Sequence, residues 1–302
     1  MTAVRFLVAD VFTATPGCGN PLAVVPDARG LSTRQMQALA REFGFSETTF
    51  VLPPASVASS ARVRIFTPRT EVPFAGHPNI GTAVVLAQER GARRRMFGDS
   101  FRFEQRAGLV PVRLLRGGGG SGAAELTAPE GLTLGAPLRV AAAAACLGLP
   151  AAQVRSRTHA PRVASVGLPF LIVEVASRAA LARARGDLAA HAATLPRLGV
   201  DAVFAWCRGA RAGELHARTF SPLDGIAEDP ATGSAAAAAV ALLTLAAPAQ
   251  SARARWRVHQ GEDMGRPSRI QGTVEKGGGA ILAVRIAGRA VIVMEGRLRA
   301  LP

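Results

Sequence analysis

The chain has 302 residues, 49% of them hydrophobic and 19% charged, so it can bury a large core, is long enough for about two domains, and is not globally disordered. The formal net charge is +15, yet Lys276 is the sole lysine, aromatics are 5% with no tyrosine, and the one tight basic cluster is Arg93-Arg94-Arg95, a pattern that argues against nucleic-acid and membrane partners and is compatible with a small anionic substrate. Cys18, Cys146 and Cys207 are odd in number, widely spaced and without a CxxC pair, which reads as reduced thiols in a cytoplasmic protein.

In chain order, Val4 to Phe12 alternates as a strand rather than a signal peptide, and a turn-rich loop follows to Gly19-Asn20-Pro21. Ser32 is placed to cap a helix whose apolar residues Met36, Leu39, Ala40 and Phe43 recur at helical spacing, and Gly44 ends it. The β-branched run from Thr48 to Leu52 is a strand, which puts Glu47 between a helix end and a strand start. Ala61 to Thr67 is a further strand, and a helix is expected from about Asn79 to Glu89. Gly91 to Gly98 reads as basic loop, 101–105 and 109–115 as strands, and Gly117 to Gly122 as a linker dividing domains 1–119 and 120–302. In the second half Ala141 to Leu147 and Ala180 to Thr194 read as helices and Leu171 to Val175 and Ala202 to Cys207 as strands. A helix extends to about Leu245 and four Gly-separated strands follow, of which the last, around Ala290 to Arg297, is placed to cross back to the first domain. Strands outnumber helices, so the class is α+β.

One stretch occurs twice. Pro73-Phe-Ala-Gly-His-Pro-Asn-Ile-Gly-Thr-Ala83 resembles Glu228-Asp-Pro-Ala-Thr-Gly-Ser-Ala235 when His77 is set on Asp229 and Gly81 on Gly233. Upstream, Arg64-Ile-Phe-Thr-Pro68 lies over Arg218-Thr-Phe-Ser-Pro222. Each copy reads as strand, Pro/Gly turn and apolar helix, so two pseudo-symmetric domains are expected. A polar residue opens each helix in this register, His77 in one and Asp229 in the other, and free N–H groups at two helix starts would suit an anion.

These residues carry a resemblance to the PhzF-like phenazine-biosynthesis family. The matching stretches are Asp10-Val-Phe-Thr13, Gly19-Asn20-Pro21, Ser46-Glu47-Thr48, Phe66-Thr-Pro68, Pro73-Phe-Ala-Gly-His-Pro78, Gly167-Leu-Pro-Phe170, Glu228-Asp-Pro-Ala-Thr-Gly-Ser-Ala235 and Gln260-Gly-Glu-Asp-Met-Gly-Arg-Pro-Ser268, in family order from near the first residue to near the last. The resemblance implies a diaminopimelate epimerase-like fold, with each domain a mixed β-sheet wrapped around one central α-helix and the active site between the domains. It also implies a homodimer and a cofactor-independent isomerase.

By the same resemblance Glu47 is the acid/base, and His77 and Asp229 bind and polarise the substrate. Glu47 lies between Phe45 and Phe50, and a desolvated carboxylate gains basicity. The competing readings are a solvated loop Glu, a packed His and an Asp that only caps a helix. Ser46, Asn20 and Gly76 are further substrate-binding candidates from the motifs. Backbone N–H groups of Gly81, Gly233 and Ser234 could hold a substrate carboxylate, unless those glycines serve turn geometry alone. Cofactor-independent racemases of this fold use two facing cysteines, and neither repeat copy contains one, which favours a single base returning its proton elsewhere on the same face. Cys18, in the loop beside Gly19-Asn20, is a minor candidate for a reactive thiol. No metal, nucleotide or nucleophile-elbow motif is present. The expected reaction resembles isomerisation of trans-2,3-dihydro-3-hydroxyanthranilate. The alternatives are an isomerase or epimerase of another small acid, and a non-catalytic binding protein of the same fold.

Overall fold

The structure is a computed structural model that describes residues 4–89, 96–115 and 122–299. The Arg93-Arg94-Arg95 cluster and the Gly117 to Gly120 run lie outside the described residues. The chain divides into two compact units, Met1–Thr127 with Ala287–Pro302, and Ala128–Ile286.

The first unit contains β1 (Val4–Val11), β2 (Asn20–Val25), α1 (Thr33–Phe43), β3 (Glu47–Leu52), β4 (Ala61–Phe66), β5 (Glu71–Val72), α2 (Gly76–Gln88), β6 (Ser100–Gln105), β7 (Gly108–Leu115) and β8 (Gly122–Thr127). Its sheet is mixed: β1–β2, β3–β4, β4–β5, β6–β7 and β7–β8 are antiparallel, whereas β2–β3 and β4–β6 are parallel. Residues 290–298 of the chain's last strand run antiparallel to β1. Helix α1 starts with a capping box between Ser32 and Gln35 and stops at Gly44, whose φ of 66° is the left-handed conformation glycine adopts without a Cβ penalty.

The second unit contains β9 (Thr133–Pro137), α3 (Val140–Cys146), β10 (Val154–Arg155), β11 (Arg162–Ser165), β12 (Pro169–Val175), α4 (Arg178–Arg183), α5 (Leu188–Thr194), β13 (Val203–Arg208), β14 (Glu214–Ser221), β15 (Ile226–Asp229), α6 (Gly233–Ala246), β16 (Ala252–Gln260), β17 (Ser268–Gly277) and the start of β18 (Ala280–Leu298). The pairings repeat those of the first unit: β11–β12, β13–β14, β14–β15 and β16–β17 are antiparallel, and β12–β13 and β14–β16 are parallel. The single helix expected from Ala180 to Thr194 is two helices. A Cβ on Gly186 would lie 2.9 Å from the Phe220 side chain, and Asp187 caps the second helix through the Ala190 N–H.

In each unit one helix is enclosed by sheet. Helix α2 buries every residue from Gly76 to Leu86 and packs on β1, β2, β3, β7 and β8. Helix α6 is buried on all faces and packs on β11, β12, β13, β16 and β17. A helix with no polar face is stable only where apolar groups surround it, which is why both segments lack the amphipathic period of α1.

The repeat is present, but its register differs from the one read in the sequence. Arg64 and Arg218 occupy equivalent places, each bound through two nitrogens to a carboxylate, Glu71 (2.8 and 2.7 Å) or Glu228 (2.8 and 2.6 Å). Each also lies over a ring two residues on, Phe66 at 5.0 Å and Phe220 at 4.9 Å. From Glu71 and Glu228 the two copies run without a gap to Gly76 and Gly233, the first residues of α2 and α6. His77 therefore corresponds to Ser234, and Asp229, the last residue of β15, corresponds to Val72. Matching Pro78 to Pro230 misled the sequence reading. Pro78 sits in the first helical turn, where a missing N–H costs nothing, while Pro230 precedes its helix.

Candidate active site

Four of the candidate residues meet in the first unit. The loop before β2 is tied down by Asp10, whose carboxylate accepts the Gly17 N–H at 2.7 Å. Gly19 has φ of 68°, and a Cβ there would lie 2.3 Å from the Val11 carbonyl oxygen, so only glycine lets the chain turn into Asn20. Parallel pairing sets Leu22 beside Glu47, and a buried hydrogen bond between the Thr49 and Thr82 hydroxyls (2.8 Å) ties β3 to α2. These constraints bring Asn20, Ser46, Glu47 and His77 together.

Their hydrogen bonds run in one direction. The Ser46 hydroxyl donates to Asn20 Oδ1 at 3.2 Å, which turns the Asn20 amide nitrogen toward His77 Nδ1 at 3.4 Å. Nδ1 is then an acceptor, so the neutral ring carries its proton on Nε2. Nε2 lies 3.5 Å from Glu47 Oε2, and both atoms are shielded from solvent. Burial pushes the His77 imidazole down to about 3, so the ring is neutral across the ordinary pH range. The arrangement presents a carboxylate able to take a proton beside a neutral imidazole that can donate one hydrogen bond.

This burial has a consequence for stability. An unfolded histidine titrates near 6.5, so protons favour the unfolded chain between that value and about 3. The contribution of His77 is fully present above pH 6.5 and is lost as pH falls toward 3. Thermal melts from pH 7 to 4 should show a smaller acid loss for His77→Gln than for wild type; equal slopes would refute the assignment.

In the second unit Asp229 is buried at the end of β15. The Thr232 hydroxyl donates to Asp229 Oδ2 at 2.5 Å. Gln260, at the end of β16, holds the segment from behind. Its Oε1 accepts the Thr232 N–H (3.0 Å), and its Nε2 reaches the Asp229 carbonyl (2.8 Å) and the Thr219 and Thr232 hydroxyls (both 3.1 Å). Glu228 is occupied by Arg218. Gly233 and Ser234 are the first two residues of α6, and Gly76 is the first of α2; no side chain caps either helix. Gln260, Thr232 and Arg218 were not singled out from the sequence. The only signal was their place inside matched motifs, with nothing local to show what they touch.

Gly81 is a correction. It is the sixth residue of α2, where its N–H is committed within the helix, and a Cβ there would lie 2.6 Å from Leu22 Cδ2 and 2.7 Å from Val11 Cγ2. It permits close packing and does not hold a substrate. Gly81→Ala should cost about 1–3 kcal/mol by overpacking, read from urea melts, and a change in substrate affinity without a stability loss would contradict this role.

Burial pushes the Cys207 thiol up to about 11 and raises that of Cys146, so neither is a reactive thiolate. Among the described residues no three His, Cys, Asp or Glu side chains are grouped as a metal would require, and no helix is long and apolar enough to cross a membrane.

Comparison with known proteins identifies the family. The family model described as "Phenazine biosynthesis-like protein" matches residues 9–296. An uncharacterized isomerase of Mesorhizobium japonicum is 40% identical over 99% of both chains. The trans-2,3-dihydro-3-hydroxyanthranilate isomerase of Pseudomonas aeruginosa is 37% identical over 97% of this chain and 98% of its own. The crystal structure of a Bacillus anthracis phenazine biosynthesis protein of the PhzF family superposes with a TM-score of 0.87 at 26% identity, covering 99% of this chain and 100% of that one. The wrapped-helix units and the near-complete coverage converge on one conclusion: this chain belongs to the phenazine biosynthesis-like, or PhzF, family and is an isomerase.

Proposed function

We propose that this isomerase moves a proton within a small carboxylic acid, using Glu47 as its single acid/base, as an enzyme acting on trans-2,3-dihydro-3-hydroxyanthranilate would. The observation that carries the reading is the Glu47 carboxylate set 3.5 Å from a buried His77 whose proton Asn20 directs to Nε2. Glu47 takes the proton from C3 and returns it at C1, leaving an enol that becomes the ketone. The neutral imidazole orients the carboxylate and does not compete for the proton. Ser46 and Asn20 fix that geometry, and the first-turn N–H group at Gly76, at the start of α2 in the same unit, is assigned to the substrate's anionic group. Asp229, steadied by Thr232, is the hydrogen-bond acceptor this reading assigns to the second unit.

The test is an NMR time course in D₂O with trans-2,3-dihydro-3-hydroxyanthranilate. Isomerisation with deuterium appearing at the carbon that gains the proton supports substrate and mechanism together. An unchanged substrate removes this compound, and the same measurement then passes to other small carboxylates.

A further inference from the structure

The two units build the same pair of strands and finish it differently. Strand β6 ends at Gln105 and turns through Arg106-Ala107 directly into β7. Strand β16 ends at the equivalent Gln260 but reaches β17 only after seven residues, 261–267. That longer loop carries two acids back onto the sheet. Glu262 Oε2 lies 2.8 Å from His216 Nδ1, and Asp263 accepts from Arg178 at 2.9 Å with Arg218 Nε at 3.8 Å. By the pairing of β4 with β6 and of β14 with β16, His216 corresponds to Arg62 and Arg218 to Arg64.

The first unit has no such loop, and a cavity of about 320 Å³ lies beside Arg62, Arg64 and Arg106, with Glu71, Glu104 and Gln105 in its wall. Its two carboxylates are already satisfied. Glu71 is clamped by Arg64, which holds it below the usual carboxylate range. Glu104 accepts the N–H groups of Ala55 (2.8 Å) and Ser56 (2.9 Å) and is likewise lowered. Arg64 is engaged too, since its third nitrogen donates to the Thr33 hydroxyl at 3.0 Å. The side chains of Arg62 and Arg106 make no hydrogen bond among the described residues, and each acts on Glu71 only through its charge. Two guanidinium groups thus face a space whose counterpart in the second unit holds two carboxylates.

We propose that this cavity binds a small dicarboxylate through Arg62 and Arg106, in the place where the second unit seats its own Glu262 and Asp263. The volume lies at the small end of ligand pockets and favours a small molecule over an acidic peptide segment. The site is independent of the proposed catalytic residues.

Calorimetric titration of the full chain at low ionic strength, with succinate as the probe, tests this. Expected is saturable 1:1 binding, weakened at least tenfold in Arg62→Ala/Arg106→Ala, weaker for acetate, and unchanged in Glu47→Gln. Both arginines are exposed, so the double variant should fold, and its melting temperature checks that. Three results would overturn the proposal: no binding by wild type, equal binding by the double variant, or loss of binding in Glu47→Gln. Sedimentation of the double variant identifies the competing occupant, because a change in oligomeric state would mean that a second copy fills the cavity instead. None of these results bears on whether Glu47 turns over substrate.

Discussion

Glu47→Gln should lower turnover by about 10³-fold while leaving substrate binding nearly unchanged. The amide keeps the size of the carboxylate beside His77 Nε2, so the packing around β3 and α2 survives. What it loses is the ability to accept a proton from carbon, and a positioned acid/base contributes about 10²–10⁴ in rate. The loss should appear in kcat more than in KM, because the interaction removed is made only as the proton moves. Steady-state kinetics on a substrate that wild type turns over, with deuterium exchange from D₂O in parallel, provides the measurement. Turnover within tenfold of wild type would remove Glu47 from the proposed role.

The largest stability effect is expected at Arg218. Its side chain is 6% exposed and is bound through two nitrogens to Glu228. The third nitrogen donates to the carbonyls of Leu181 (3.0 Å), Ala182 (3.1 Å) and Ala184 (2.9 Å), the C-terminal turn of α4. Arg218→Ala leaves a nearly buried carboxylate and two buried carbonyls without their donor, a situation that costs about 3–5 kcal/mol. Arg218→Lys should recover little, since an ammonium cannot span a carboxylate and three carbonyls at once. The equivalent Arg64 is 21% exposed, and its third nitrogen meets only Thr33 Oγ1 and Met36 Sδ, so Arg64→Ala should cost clearly less. Urea unfolding of the two variants side by side makes the comparison. Equal losses would mean that the carbonyl contacts in the second unit contribute nothing.

Local chemistry explains which parts of the fold were legible from residues alone. Ser32 and Gly44 bound α1 through backbone groups within a turn of themselves, so capping chemistry shows both ends. The run from Ala235 is apolar on every face, which already requires burial in a core, and the family resemblance implied the surrounding sheet. Short elements were missed: β9 and β10 are held by pairing with β11 and β12, distant in sequence, and although β11 forms a tight hairpin with β12, none of the three carries alternation strong enough to mark it. The break between α4 and α5 was also invisible, because Phe220, which crowds Gly186, is thirty-four residues away.

In the site the same division holds. The motifs Gly19-Asn20, Ser46-Glu47 and Gly76-His77 identify the residues, and the family resemblance supplies their roles, but no local rule says that an Asn20 amide selects the tautomer of His77. That depends on parallel pairing of β2 with β3 and on the seating of α2 against both.

By itself the sequence determined the α+β class, two apolar helices, an internal repeat and the identity of the residues around Glu47, because periodicity, capping and motif chemistry act over a few neighbouring positions. Only the tertiary structure decided the register of the repeat, the packing role of Gly81, the hold of Gln260 on Thr232 and Asp229, and the clamp of Arg218 on Glu228 and α4. Each of those rests on the order in which strands pair and on what lies across the sheet. A hydrogen bond depends on position within a few tenths of an ångström, and that position is set by the whole packed unit.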